Sequence, residues 1–231
     1  MINKIVVTGG NGRFAKTLKK IKNNYKIFYP TKSQLDITNY KKIKSYLKKK
    51  RPSVVIHLAG LSRPMKIHEK KISKSIILNI IGTSNLVRAC SELKIKIIYF
   101  STSYVYPGKK GNYKENDSVL PWNNYAWSKL GGECAVQMYK NSLILRACMT
   151  EKPFVHKKAF TNVKLNFIFH EDIAKMLFKV MNKKGILNIG GPTKTIYDFA
   201  KKYNPKIKKI KSRGQFPPKP YMSISKLKNI I

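Results

Sequence analysis

Acidic residues are scarce in this sequence: only 10 of 231 residues are Asp or Glu, against 48 Lys or Arg, which gives a formal net charge of +38. Arginine is scarce too, confined to Arg13, Arg51, Arg63, Arg88, Arg146 and Arg213. Base readout and bidentate phosphate contacts favour arginine, and the lysines spread along almost every expected helix. The charge therefore predicts no specific nucleic-acid partner, and Lys rising together with Ile, Asn, Tyr and Phe is the pattern of AT-rich codons. A cleft with positive walls would still concentrate a dianionic ligand such as a nucleotide or nucleotide sugar. Cysteines are few and odd in number, Cys90, Cys134 and Cys148, and neither they nor His57, His68, His156 and His170 have metal-ligand spacing. No structural metal is expected, and a reducing cytoplasm fits. No apolar run approaches the roughly 18 to 20 residues that span a bilayer, and Met1 leads almost at once into a strand-like Ile5-Val6-Val7. This argues for a soluble, unsecreted protein without a membrane partner. An apolar fraction of 42% excludes a disordered polybasic tail.

Short β-branched runs alternate with longer helical patterns. Lys4 to Thr8, Lys26 to Tyr29, Val54 to Leu58, Lys96 to Phe100 and Leu143 to Arg146 read as buried strands. Between them Gly12 to Lys22, Asn39 to Lys50, Ile72 to Leu93 and Asn124 to Lys140 read as helices, each with one apolar stripe and Lys facing water. This alternation implies an α/β fold: a Rossmann-like, doubly wound parallel sheet with its ligand at the carboxyl edge of the strands. After about Thr150 the rhythm weakens, with a helix at Glu171 to Met181, a strand at Ile186 to Ile189 and a helix from Thr195. Residues 1–150 are expected to form the dinucleotide-binding domain and 151–231 a small C-terminal substrate lobe.

The first strand runs into Thr8-Gly9-Gly10-Asn11-Gly12-Arg13-Phe14-Ala15, a glycine turn that opens a helix. Gly9 takes a turn conformation closed to other residues, Gly12 lets backbone approach a pyrophosphate, and Ala15 permits close packing of helix on strand. A dinucleotide is the natural occupant. An NAD site usually supplies an acidic residue at the end of the second strand for the ribose hydroxyl, yet Lys26 to Ser33 contains none. Lys32, Ser33 and Arg13 are candidates to receive a 2′-phosphate, which favours NADPH over NADH or NAD. Further on, Tyr125 and Lys129 share one face of a helix at a spacing of four. An ammonium beside a phenol of ordinary pKa about 10 favours the phenolate and brings the value toward working range. Upstream, the strand end Ser101-Thr102-Ser103 brings hydroxyls to the same edge of the sheet, where one would hydrogen-bond an oxygen that changes charge. Ser62 and Arg63 follow the third strand and are candidate contacts to a substrate phosphate or sugar. Tyr104 and Tyr106 are divided between the sugar pocket and the core. His57 and Cys148 are expected in the interior, not as catalysts.

These residues resemble the extended short-chain dehydrogenase/reductase family, the NAD-dependent epimerase/dehydratase group, and within it most closely the dTDP-4-dehydrorhamnose reductase branch. The Thr-Gly-Gly-x-Gly-x-x-Ala turn is similar to the family's cofactor turn. Leu35-Asp36-Ile37-Thr38 looks like the segment whose Asp meets the adenine, and His57-Leu58-Ala59-Gly60 like the strand end beside the nicotinamide. Asn79-Ile-Ile-Gly82-Thr-Ser-Asn85-Leu resembles a helix whose first Asn is structural, and Ser101-Thr102-Ser103-Tyr104-Val105-Tyr106 resembles the reductases' Ser-Thr-Asp-Tyr-Val-Phe. His170-Glu171-Asp172-Ile173-Ala174 and Leu187-Asn188-Ile189-Gly190-Gly191 look like landmarks of the substrate lobe.

The resemblance implies a catalytic hydroxyl at Thr102, a proton donor at Tyr125 and its partner at Lys129. From the residues and the resemblance together, cofactor contacts are expected at Gly9, Asn11, Gly12, Arg13, Phe14, Lys32, Ser33, Asp36, Ile37, Leu58, Ala59, Gly60, Tyr125 and Lys129; Ser62, Arg63, Ser103 and Tyr104 are candidate substrate contacts that the resemblance does not supply, because the lobe is smaller than the family norm. Ser103 replaces an expected Asp, and the Asp-Glu pair of the related dehydratases is missing, which disfavours dehydration. The implied function is NAD(P)-dependent reduction of a keto group on a nucleotide-activated sugar by a homodimer. The alternatives are a nucleotide-sugar 4-epimerase with retained NAD, a cofactor-sensing protein without chemistry, and a nucleic-acid binder driven by charge.

Overall fold

The structure, a computed structural model, describes residues 3–231. Six strands, β1 (Lys4–Thr8), β2 (Lys26–Phe28), β3 (Val54–His57), β4 (Lys96–Thr102), β5 (Ser142–Ala147) and β6 (Gly185–Ile189), form one parallel sheet in the order β6-β5-β4-β3-β1-β2. Helices α1 (Arg13–Leu18), α2 (Tyr40–Lys50), α3 (Gly82–Glu92), α4 (Asn124–Gln137) and α5 (His170–Val180) cover both faces. This is the Rossmann-like architecture the alternating pattern predicts. Side chains alternate across each strand: Ile5 and Val7 of β1 join Ile98 and Phe100 of β4 in a core under α1 and α5, whereas Val6 joins Ile97 and Tyr99 in a core under α2, α3 and α4.

Local chemistry sets the helices. In α2, Ile43 and Leu47 are buried one turn apart while Lys41, Lys42, Lys48 and Lys49 on either side of them face water, and the Asn39 side chain caps the start by accepting from Lys42 N at 3.0 Å. Asn123 caps α4 in the same way, accepting from Ala126 N at 2.8 Å. The segment expected as one helix from Ile72 to Leu93 is in three pieces: a short α-turn at Ile72–Ser75, a π-helix at Ile76–Ile81, then α3. The wider π-turn turns Asn79 inward, where it is fully enclosed.

Beyond the sheet, Phe154, Ala159, Val163, Leu165, Ile196 and Ile207 gather with Val105, Tyr106 and Tyr113 in a third, separate core. Yet β6, from residues 185–189, pairs with β5 along its whole length, and α5 packs into the first core. The lobe is therefore threaded through the sheet, because the apolar edge of β5 must be covered and β6 is the strand that covers it.

A buried polar network fastens α4 to the sheet. Glu133, fully enclosed, accepts from Ser101 Oγ of β4 at 2.7 Å and from Arg146 Nε of β5 at 2.9 Å, with a second Arg146 contact from Nη2. Arg146 Nη1 donates to the Tyr106 hydroxyl at 2.8 Å, which donates to Asn188 Oδ1 of β6 at 2.8 Å. Breaking a buried pair by removing one partner typically costs about 3 to 5 kcal/mol, because the remaining charge is stranded. Arg146→Met is expected to lower the unfolding free energy by about that much in urea titrations. Replacing Glu133 by Met as well is expected to recover part of the loss.

Candidate functional site

The strand order reverses direction between β1 and β3, and ligands of open parallel sheets bind at the carboxyl end of such a switch point. Here two loops nearly touch. Gly9 has φ +69°, and a Cβ placed on it would stand 2.7 Å from Ala59 N, so no other residue fits the turn. The Thr8 hydroxyl sews the two strand ends together, accepting from Leu58 N at 3.2 Å and Ala59 N at 3.1 Å. With both acceptor positions used, its proton faces His57 Nδ1 at 2.8 Å, and His57 Nε2 then donates to Thr83 Oγ1 at 3.0 Å. His57 is neutral, its pKa lowered to about 3 by burial and then by the Lys129 charge. It is an internal strut, as its apolar strand predicts.

A continuous cleft crosses this point in three compartments. The outer one, about 360 Å³, lies between the glycine turn and Pro30, Lys32, Leu35, Asp36, Ile37, Ala59 and Leu78. The middle one, also about 360 Å³, is lined by Gly9, Gly12, Arg13, Phe14, Leu58, Gly60, Ser101, Tyr125 and Lys129. The inner one, about 150 Å³, is lined by Ser62, Arg63, Thr102, Ser103, Tyr104, Tyr125, Cys148 and His170. Asn11 borders the outer and middle spaces, and Arg13 and Tyr125 the middle and inner ones. Residues from distant stretches of chain thus meet around one cavity.

Three expected contacts differ in where they stand: Arg13 and Phe14 line the middle compartment, and Ser33 lies outside the cleft walls. Arg13 does not face the outer compartment with Lys32. It opens α1 on the other side of the glycine turn, with its Nε 3.3 Å from Glu151. Ser33 is exposed, bonded to the Thr31 hydroxyl at 2.8 Å, and is not among the cleft walls. The Phe14 ring is a wall piece wedged against Phe100 and His170, with centroids 5.0 and 5.5 Å away. Asp36 lines the outer compartment, with one carboxylate oxygen accepting from both Thr38 N and Thr38 Oγ1. Among the described residues no group of His, Cys, Asp and Glu gathers to hold a metal.

The phenol and the amine stand differently from the expected pairing. Burial pushes Tyr125 up to about 12; what relieves it is the Thr102 side chain and then the Arg63 charge, not Lys129. Burial also brings Lys129 down to about 7, with Glu133 opposing, and its ammonium lies over the Tyr99 ring, 4.1 Å from the centroid. The charge bearing on the phenol is therefore an arginine that the helical spacing does not reveal.

The parts that hold these groups were mostly silent in the sequence. Asn79 accepts from Leu61 N at 2.7 Å and donates to Ser128 Oγ at 2.8 Å, and Ser128 in turn donates to Tyr125 O at 2.7 Å. The loop after β3 is thereby fixed to the helix that carries Tyr125, which bears out a structural role for Asn79. His68 packs its ring against Tyr125 at 5.1 Å. Tyr104 borders the inner compartment, whereas Tyr106 is in the core. Glu133 had a readable signal: it lies four residues beyond Lys129, one of few acids, in a helix of small and apolar residues.

A family profile described as RmlD substrate binding domain matches residues 3–166. A dTDP-4-dehydrorhamnose reductase of Aggregatibacter actinomycetemcomitans is 28% identical over 200 residues, covering 82% of this chain and 63% of that protein. Methionine adenosyltransferase 2 subunit beta of Xenopus laevis is 28% identical over 151 residues, covering 61% of this chain and 45% of that protein. The chain thus spans less than two thirds of the length of these relatives. Among solved structures, a dTDP-4-dehydrorhamnose reductase from Bacillus anthracis in complex with NADP superposes with a TM-score of 0.88 at 22% identity, covering 99% of this chain and 92% of that one.

The Lys129 amine gives a sign that stability measurements will read. Between about pH 7 and the ordinary lysine value of 10.5 the unfolded chain binds more protons than the folded one, so the folded state gains as pH rises through that window. Relative to Lys129→Met, the wild-type chain is expected to gain stability from pH 7 to pH 10 in parallel urea titrations. A flat difference would contradict a desolvated amine.

Proposed function

This chain belongs to the RmlD substrate binding domain family, and we propose that it reduces a keto group on a nucleotide-activated sugar at the expense of NADPH. Membership alone does not carry this reading, since the relatives include a methionine adenosyltransferase subunit. The observation that carries it is the common cavity of the Gly9–Gly12 turn, Tyr125 and Lys129.

The residues present fit the cofactor. The close approach of Gly9 to Ala59 leaves a cradle that any Cβ would fill, and the first turn of α1 has no side-chain cap and no acid to compete for its N–H groups. Leu35, Ile37 and Leu78 offer apolar walls to an adenine in the outer compartment, and Lys32 offers a cation for a 2′-phosphate. NADH remains the weaker fit, because the one acid there, Asp36, is engaged by Thr38. When bound, NADPH supplies hydride to the carbonyl carbon. Tyr125 holds its proton at neutral pH because burial raises its pKa to about 12, and it donates that proton to the oxygen gaining charge. Thr102 orients the same oxygen through its hydroxyl. Lys129, half charged near neutrality, hydrogen-bonds the ribose. The lobe beyond residue 150 provides Phe167 and His170 to the inner, sugar-side compartment.

A homodimer accompanies this reading. Ile72, Ile76, Ile77 and Ile81 are between 41% and 55% exposed along one stretch, and Trp127 of α4 is 49% exposed. So much exposed apolar surface on neighbouring elements suits the same face of a second copy. No helix among the described residues is long and apolar enough to cross a membrane, and the three free thiols suit a cytoplasmic setting.

Two measurements test the proposal. With a dTDP-4-keto-6-deoxy sugar and NADPH, the wild-type chain is expected to consume cofactor stoichiometrically, and Tyr125→Phe to turn over at least about a hundredfold slower with NADPH affinity nearly intact. Retained turnover in the variant removes Tyr125 from the chemistry, and absence of net cofactor consumption favours an epimerase. Separately, Ile77→Glu is expected to convert the dimer to monomer in light scattering.

A further inference from the structure

One ionic feature of the cleft stands beside the phenol, the amine and the hydroxyl, and of its members only Arg63 bears on the phenol. Arg13 comes from the turn after β1, Arg63 from the loop after β3, and Glu151 directly follows the short strand Met149–Thr150 that extends from β5. The two guanidinium groups meet on the one carboxylate. Arg13 Nε is 3.3 Å from one Glu151 oxygen, and Arg63 Nη1 donates to the other at 2.9 Å. Both arginines border the inner compartment, beside Thr102 and Tyr125.

This contact is poorly suited to hold the fold together. The side chains of Arg13, Arg63 and Glu151 are 48%, 38% and 22% exposed, and ion pairs this open to water add little stability. The enclosed Glu133–Arg146 pair, by contrast, fastens α4 to the sheet. The two arginines do converge their N–H donors on one small acceptor, the Glu151 carboxylate, an arrangement that suits carboxylate and phosphate oxygens. The ten acids of the chain leave few carboxylates to fill such a set, and one of them fills this one. The Arg63 charge also reaches Tyr125 and Tyr104, so whatever binds here lies against the reacting end of the cleft.

We propose that Glu151 is a built-in occupant of a two-arginine oxyanion site, and that the substrate carries a phosphate or carboxylate that displaces it and binds Arg13 and Arg63. This rests on the reductase reading for taking the inner compartment as the substrate side. A ligand anion exchanges a weak, solvent-exposed internal pair for contacts with both guanidinium groups, and the freed Glu151 turns to water. The arginines select for an anionic substrate, and Glu151 keeps neutral sugars from gaining by their presence.

The test is titration calorimetry with two probes, inorganic pyrophosphate and D-glucuronate, on the wild-type chain, Glu151→Gln, Glu151→Gln with Arg63→Ala, and Asp198→Asn. The last removes one negative charge outside the cleft. Glu151→Gln is expected to bind one of the probes about tenfold more tightly than wild type. The probe that gains identifies the anion as phosphate or carboxylate. The added Arg63→Ala is expected to erase the gain, and Asp198→Asn to show none. No gain with either probe, an equal gain in Asp198→Asn, or a gain that survives Arg63→Ala overturns the proposal. NADPH binding is followed in the same proteins by fluorescence quenching. If NADPH binds none of them while the Glu151→Gln gain stands, the reductase reading fails and the oxyanion site remains.

Discussion

The position of Tyr125 and Lys129 depends on one buried carboxylate, because α4 carries both and Glu133 is what ties α4 to β4 and β5. A helix that buries Ser128, Gly132 and Glu133 gains less from apolar contact than its neighbours do, and it offsets this with directed bonds. Ser101 and Arg146 hold it from the sheet side, and Asn79 with Ser128 holds it from the π-helix side. Gly132 lets the helix approach so closely that a Cβ there would stand 2.6 Å from Asn79 O. Directed bonds fix azimuth as well as distance, so the phenol and the amine keep both relative to the cleft.

The sheet was legible in the sequence because its signals are local. Strands buried on both faces are short β-branched runs, and Ile43 and Leu47 mark the inner side of α2 without reference to anything distant. The glycine turn and the pair Tyr125 and Lys129 were legible for the same reason. What stayed hidden depends on partners far apart along the chain. Nothing near Arg13 announces Glu151, and the sequence alone does not tell which side of the glycine turn the arginine takes. Ile186 to Ile189 likewise reads as a strand by itself, but its partner β5 is named only by the sheet.

The expected chemistry of the amine shows how burial competes with pairing. Spacing four residues apart brings an ammonium and a phenol to one helix face, and in water the charge would act on the phenol. In the cleft, desolvation acts on each group separately and drives both toward their neutral forms. The net charge of +38 has little part in this, since most lysines face solvent, where salt screens them. The cations that matter to the site are few, and two of them are arginines.

The late arrival of β6 also bears on how the chain folds during synthesis. Residues 185–189 close the flank of β5, so a nascent chain that has emerged only through Ala147 presents that strand with its backbone N–H and C=O groups open to other chains. Ribosome-bound intermediates of this length would be candidates for chaperone capture, and the exposure ends when some forty further residues bring the covering strand out of the exit tunnel.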